Sequence, residues 1–315
     1  MKSMLSTLFI CVITMSSTLA QKSDTVSIQL LGGQLEGTMT IADTTKLTTV
    51  AYIIPGSGSN DRNGNSENMI INELLMLSDS LISKGVSTLR VDKRMSGNSF
   101  FENVTEEEVT FDDFVADARL WVDFLEEQKR FSEIIILGHS QGSLVAILAA
   151  QDNDKVDAVV NLAGAGRPID EGIREQVYNR LPIAQKQLDP ILDKLVKGER
   201  VDTVPIYFNQ IVRPSVQPFL ISYMKYNPME EIAKLNIPIA IVQGTTDFQV
   251  TMEDAEKLHT AYPKAELIII EGMNHVFKEA PMDRAENMKT YLDLEIPIID
   301  GLIDPLVEFI RSVSK

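Results

Sequence analysis

The sequence predicts an α/β protein built on a mostly parallel, doubly wound sheet, with an N-terminal antiparallel hairpin and a helical insertion. Three observations lead there. Short apolar runs at 48–54, 86–91, 134–137, 156–162, 237–242 and 265–270 read as buried parallel strands. Segments of helical period at 67–84, 111–127 and 252–260 lie between them. Gly32-Gly33 separates two alternating segments, 25–31 and 34–41, as in a hairpin.

At the N-terminus, Lys2 supplies a positive charge, 5–15 is apolar, and Thr18-Leu19-Ala20 offers a small-residue cleavage site before Gln21. Residues 1–20 therefore read as a signal peptide, too short to span a bilayer comfortably, and point to a secreted or periplasmic protein. Cys11 is the single cysteine. It lies inside that segment and follows Ile10, which argues against a lipoprotein signal. Its removal leaves no disulfide, no cysteine nucleophile and no Zn–Cys site.

The remainder, residues 21–315, has the size of one large α/β domain. With 44% hydrophobic residues and no repeat, its composition is ordinary globular. A net charge of −16 argues against nucleic acid and anionic membrane surfaces as partners.

The strand at 48–54 runs into Pro55-Gly56-Ser57-Gly58-Ser59-Asn60-Asp61-Arg62, a loop whose glycines let backbone approach a ligand closely. The next strand ends in Asp92-Lys93-Arg94. An ion pair involving Asp92 and Arg94 is expected to brace these loops. Asp61-x-Asn63-x-Asn65 resembles a calcium loop only superficially, because Ser66 and Asn72 stand where Gly and Glu are needed. Asn103-Val104-Thr105 is a glycosylation sequon.

The central stretch is Ile134-Ile135-Ile136-Leu137-Gly138-His139-Ser140-Gln141-Gly142-Ser143. Strand, Gly-x-Ser-x-Gly and a following apolar helix are the context of a nucleophile elbow. A serine hydroxyl needs a base, and three histidines are available. His139 is the wild card of the elbow and is expected to point away from the Ser140 hydroxyl. His259 falls mid-helix, on the surface. His275 alone follows a strand end, on the loop 271–274, and is the expected general base. The acid that orients it should follow the preceding strand, which selects Asp247 over Glu271 and Asp254. The order Ser140, Asp247, His275 is that of α/β-hydrolases, not of the chymotrypsin or subtilisin folds. An oxyanion hole would use the N–H groups of Gln141 and Ser57, with Gly58 as the alternative to Ser57.

Residues 167–231 break the strand–helix rhythm, carry several prolines and concentrate Tyr178, Tyr207, Phe208, Phe219, Tyr223 and Tyr226. They read as a helical cap over the site; the alternative is an insertion whose aromatics form a core of their own.

Taken in order, the loop 55–62, Asp92-Lys93-Arg94, Gly138-His139-Ser140-Gln141-Gly142, Arg213-Pro214-Ser215-Val216-Gln217-Pro218, Gln243-Gly244-Thr245-Thr246-Asp247 and Gly272-Met273-Asn274-His275 resemble secreted bacterial α/β-hydrolases of the serine esterase or serine-aminopeptidase-like kind. The resemblance spans nearly all of 21–315. It implies the α/β-hydrolase fold and carboxylic-ester hydrolysis through Ser140, Asp247 and His275, on a small-molecule ester, without metal or cofactor. A departure is Met95-Ser96-Gly97, where the family usually shows Gly-x-Gly after the arginine. The rival readings are a peptidase of the aminopeptidase type, needing an acidic clamp such as Asp170, Glu171, Glu175 or Asp189 for a free amine, and a non-catalytic binding protein. The latter usually lacks a triad member. Ser140 also argues against dehalogenases and epoxide hydrolases, which use aspartate.

Overall fold

A computed structural model of the protein describes residues 22–313. The predicted signal peptide lies outside the described residues. Among the described residues, no helix is long and apolar enough to cross a membrane.

Among the described residues nine strands form one sheet: β1 (Lys22–Leu30), β2 (Gly33–Ile41), β3 (Thr48–Ile54), β4 (Ser87–Val91), β5 (Phe100–Phe101), β6 (Phe131–His139), β7 (Ala158–Leu162), β8 (Ile239–Gly244) and β9 (Glu266–Ile270). The order is β1-β2-β4-β3-β6-β7-β8-β9, with the short β5 paired to β2. The hairpin β1–β2 joins β4 in antiparallel fashion, and every pair from β4 through β9 is parallel. The chain places β4 on one side of β3 and β6 on the other. The loops after β3 and β6 therefore emerge side by side where strand order reverses, the crevice in which such sheets bind ligands.

Helices α1 (Glu73–Ser83), α2 (Phe111–Glu127) and α3 (Gln141–Ala150) precede a run of short helices, α4 (Ile169–Arg180), α5 (Gln185–Val196), α6 (Asn209–Val212), α7 (Gln217–Tyr223) and α8 (Pro228–Ile232). Helices α9 (Met252–Ala261), α10 (Arg284–Leu292) and α11 (Asp300–Val313) complete the chain. Both sheet faces are covered, so alternate residues of one strand enter different cores. Val50, Tyr52, Ile54, Ile134 and Ile136 pack with α2, α3 and α9. Ala51, Ile53, Ile135 and Leu137 pack with α1 and α11. That is why these strands read as continuous apolar runs.

Helix α1 begins at Glu73, six residues later than its periodicity suggests. Side chains hold the preceding segment as loop: Asn65 Oδ1 accepts from the Ile71 and Asn72 amides at 2.8 and 2.9 Å, and Ser66 and Met69 exchange backbone hydrogen bonds. Polar side chains that satisfy backbone donors compete with helix formation. Asp61 likewise turns inward, its Oδ1 accepting from the Asn63 and Asn65 amides. At the start of α10, the Asp283 side chain caps the Ala285 and Glu286 amides.

The helices between β7 and β8 divide their aromatics between two cores. Phe208 packs with Leu188, Leu192, Leu195 and Val212 inside the insertion. Tyr223 stacks on Phe111 of α2 at 4.2 Å, and Phe219 and Tyr226 pack around the same ring. The insertion thus has a small core of its own and is also packed onto the main one.

Candidate active site

Strand β6 delivers Ser140 into a turn of φ 52° and ψ −118°, and α3 starts at the next residue. The left-handed region is costly for a residue with a Cβ, and such strain persists only where the surroundings enforce it. Here they do. A Cβ on Gly138 would lie 2.2 Å from the Gly142 carbonyl oxygen, and one on Gly142 would lie 2.5 Å from that of Ile54. The Ser140 amide donates to the Leu162 carbonyl at 2.9 Å, and Ser143 Oγ to that of Gly138 at 2.7 Å. Both glycines of the motif are therefore required by contact with backbone.

His275 lies on the loop after β9, which is held by side chains. Asn274 Oδ1 accepts from the Val276 and Lys278 amides, and Asn274 Nδ2 donates to Thr290 Oγ1 of α10. Nδ1–H of His275 donates to Asp247 Oδ2 at 2.7 Å, both residues being buried. The other carboxylate oxygen of Asp247 accepts from the Gln249 and Val250 amides at 2.7 and 3.1 Å. Of the competing acids, Glu271 is exposed, while Asp254 is bound to Arg167 and to the first turn of α9.

Ser140 and His275 line one cavity of about 300 Å³, together with Ser57, Glu73 and Tyr291. Ser140 also lines a second, of about 400 Å³, together with Ser57, Gly58, Gln141, Phe219 and Tyr223. Ser140 stands where the two meet, with the loop after β3 beside it. A Cβ on Gly56 would come within 3.2 Å of that of Ser140.

Two nearby residues were not assigned this place from the sequence. His139, expected to point away from the Ser140 hydroxyl, lines the same cavity as His275. Its Nε2–H donates to the His275 carbonyl at 2.9 Å, and the rings lie 4.8 Å apart. Burial, with His275 beside it, pushes it down to about 3, so it stays neutral and braces the His275 backbone. Only the position before Ser140 hinted at it. Lys93 is buried over the Phe114 ring and donates to the Gly56 carbonyl. His259, expected on the surface, is half-buried in α9.

Asp92 and Arg94 belong to two different ion pairs. Asp92 binds Arg62, which also reaches Glu36, and Arg94 binds Asp117 of α2. The pairs clamp the loops after β3 and β4 to the hairpin and to α2. Met95, which replaces the usual glycine, has φ 62° and an exposed side chain. The loop keeps a backbone shape suited to glycine, with a strained methionine in it.

Glu73, at the start of α1, is 3% exposed, and its Oε2 has no hydrogen-bond partner. Burial, reinforced by the charge of Asp61, pushes its carboxyl up to about 8. Because the folded chain binds this proton more tightly than the unfolded one, stability falls as pH rises from about 4.5 to 8. Glu73→Gln is expected to match the wild type near the lower limit. Near pH 7 it should be more stable by about 3 kcal/mol, from roughly 1.4 kcal/mol per pH unit. Urea unfolding at the two pH values measures the difference, and a pH-independent gap would contradict the assignment.

The doubly wound sheet with a serine on a strained strand-to-helix turn defines an α/β hydrolase. The profile of the family described as serine aminopeptidase, S33, matches residues 71–279, and the chain belongs to that family. Among similar proteins, esterase EstD of Thermotoga maritima is 27% identical over 248 residues, 77% of this chain. The match spans 58% of the length of EstD. The Pyrococcus furiosus esterase Pf2001 superposes with a TM-score of 0.60 at 17% identity, covering 94% of this chain and 92% of that one. Est1E from Butyrivibrio proteoclasticus, solved with ferulic acid bound, gives 0.58 at 20% identity, covering 91% of this chain and 99% of that one.

Proposed function

We propose that the chain is a serine carboxylesterase that works through a covalent acyl-enzyme. Ser140 Oγ attacks the ester carbonyl while His275 Nε2 takes its proton. The C–O bond to the alcohol then breaks, and the alcohol oxygen leaves with that proton. Water repeats the sequence and releases the acid. Asp247 holds the imidazole, and the amides of Ser57 and Gln141 bind the negative oxygen of each tetrahedral intermediate. The observation that carries the reading is a strained, cavity-facing serine sharing its cavity with a histidine tied to a buried carboxylate. Incubation with a fluorophosphonate and mass mapping tests it. Label on Ser140 is expected, and label elsewhere, or none, counts against it.

The two cavities divide the substrate. His275 must reach the leaving oxygen, so the alcohol belongs in the cavity that His275 lines. The acyl group then takes the other, walled by Ile169, Ile173, Ile211, Phe219, Leu220 and Tyr223. Residues 167–231 act as a cap that roofs this acyl cavity. Apolar surface buried there contributes about 25 cal/mol per Å² while room lasts. Beyond that, packed side chains must move at roughly 1–3 kcal/mol. Acetyl to hexanoyl esters are expected to be preferred, with no activation at a lipid interface. A p-nitrophenyl ester series checks this, and a maximum at dodecanoyl would mean that the roof opens.

An aminopeptidase would need a free carboxylate near the acyl cavity for the substrate's amine. Asp170 and Asp189 instead pair with Arg174, Glu175 and Asp254 pair with Arg167, and Glu171 is exposed and does not line the acyl cavity. These pairs favour the ester reading.

A further inference from the structure

We infer that Lys93 is a positioning residue for the oxyanion hole, holding the peptide unit between Gly56 and Ser57 so that the Ser57 amide points at the reacting carbonyl. The inference rests on the serine-esterase reading and on Ser57 as one of its two oxyanion donors.

The Gly56 carbonyl and the Ser57 N–H belong to one planar peptide group. No peptide bond among the described residues is cis. In a trans peptide the C=O and N–H point in opposite directions, so anchoring one end aims the other. Lys93 Nζ anchors the carbonyl end. The ammonium rises from the segment after β4, beneath the loop, while Ser57 lines both cavities at Ser140. A donor on the carbonyl also polarises the peptide group, which strengthens the opposite N–H as a donor.

The Phe114 ring, 5.4 Å from Nζ, also favours a cation there, but that contact does not direct it at the Gly56 carbonyl. Lys93 is 8% exposed, and among the described residues its hydrogen-bond acceptor is the Gly56 oxygen. Its neighbours Phe114, Trp121, Tyr52 and Val145 are largely apolar. The nearby carboxylates are engaged elsewhere, Asp92 with Arg62 and Asp117 with Arg94. Burial pushes the ammonium down to about 7, which marks the site as unfavourable for a charge. A methionine there would fill the space without that penalty. A group kept at a cost to folding, and directed at the peptide beside the nucleophile, has its explanation in the reaction.

The role predicts a separation of activity from stability and of transition state from ground state. Lys93→Met should unfold no earlier than the wild type. Its kcat on a short p-nitrophenyl ester should fall about 10²-fold with KM within about threefold, as expected for a weakened oxyanion donor. A trifluoromethyl ketone, whose adduct with Ser140 carries a negative oxygen in the same place, should lose affinity by a similar factor. The alcohol product, which carries no such charge, should inhibit both enzymes equally. Lys93→Gln, still a donor but shorter and neutral, should fall between the two. The inference is overturned if Lys93→Met keeps kcat and ketone affinity within about threefold of wild type, if Lys93→Gln is no better than Lys93→Met, or if only KM changes. Absence of ester turnover by the wild-type enzyme would overturn both this inference and the reading beneath it.

Discussion

Ser140→Ala is expected to lower kcat for ester hydrolysis by about 10³-fold or more, with little change in stability. The loss is large because, among the described residues, Ser140 is the hydroxyl residue held at positive φ, and the proposed oxyanion amides cannot attack carbon. Alanine keeps a Cβ and therefore keeps the strain at φ 52°. Ser140→Gly relieves it, and that variant should be more stable than the wild type by about 1 kcal/mol while equally inactive. The pair of variants separates chemistry from folding. A purified Ser140→Ala enzyme with comparable kcat would remove the basis for the mechanism.

Asp247→Asn should reduce kcat by about 10³–10⁴-fold, and the reason lies in the carboxylate's two faces. One oxygen accepts from the Gln249 and Val250 amides and the other from His275 Nδ1–H. An asparagine must place its own oxygen toward the two amides, since its NH₂ cannot accept from them. The NH₂ is then directed at His275, which turns its Nδ1 into an acceptor and moves the ring proton to Nε2. A base protonated on that atom cannot deprotonate Ser140. Glu271→Gln, on an exposed side chain of the neighbouring loop, should change kcat less than about twofold. Strong damage from Glu271→Gln with a mild Asp247→Asn would reverse the choice of acid.

The sheet was legible because each parallel strand is covered on both faces, which writes it as an unbroken apolar run such as Ile134-Ile135-Ile136-Leu137. Membership of the hydrolase family was legible for a related reason. Gly138 and Gly142 are forced by backbone contacts, so the motif survives as letters. Helix α1 was misplaced by six residues because Asn65 satisfies the amides of Ile71 and Asn72, an act of one side chain that periodicity does not encode. Asp92 and Arg94 were read together because they stand two apart. Each instead found its partner on another element, Asp92 on the loop after β3 and Arg94 on α2. His139 and Lys93 were passed over for a comparable reason. Their roles consist of hydrogen bonds to carbonyls of His275 and Gly56, and a main-chain acceptor leaves no mark in a sequence.

The meeting of two cavities at Ser140 bears on what the proposed acyl-enzyme would do after the first product departs. In the proposed mechanism the alcohol leaves through the chamber that His275 lines, and the acyl group stays in the other. The vacated chamber would then be the route to the carbonyl for any incoming nucleophile, and the histidine there would activate whichever hydroxyl arrives. Water is the smallest candidate but not the best retained. An added alcohol that fits the chamber will compete with it and carry the acyl group away as a new ester. The partition between acid and exchanged ester, followed against alcohol concentration, therefore measures the shape of that chamber without a crystal.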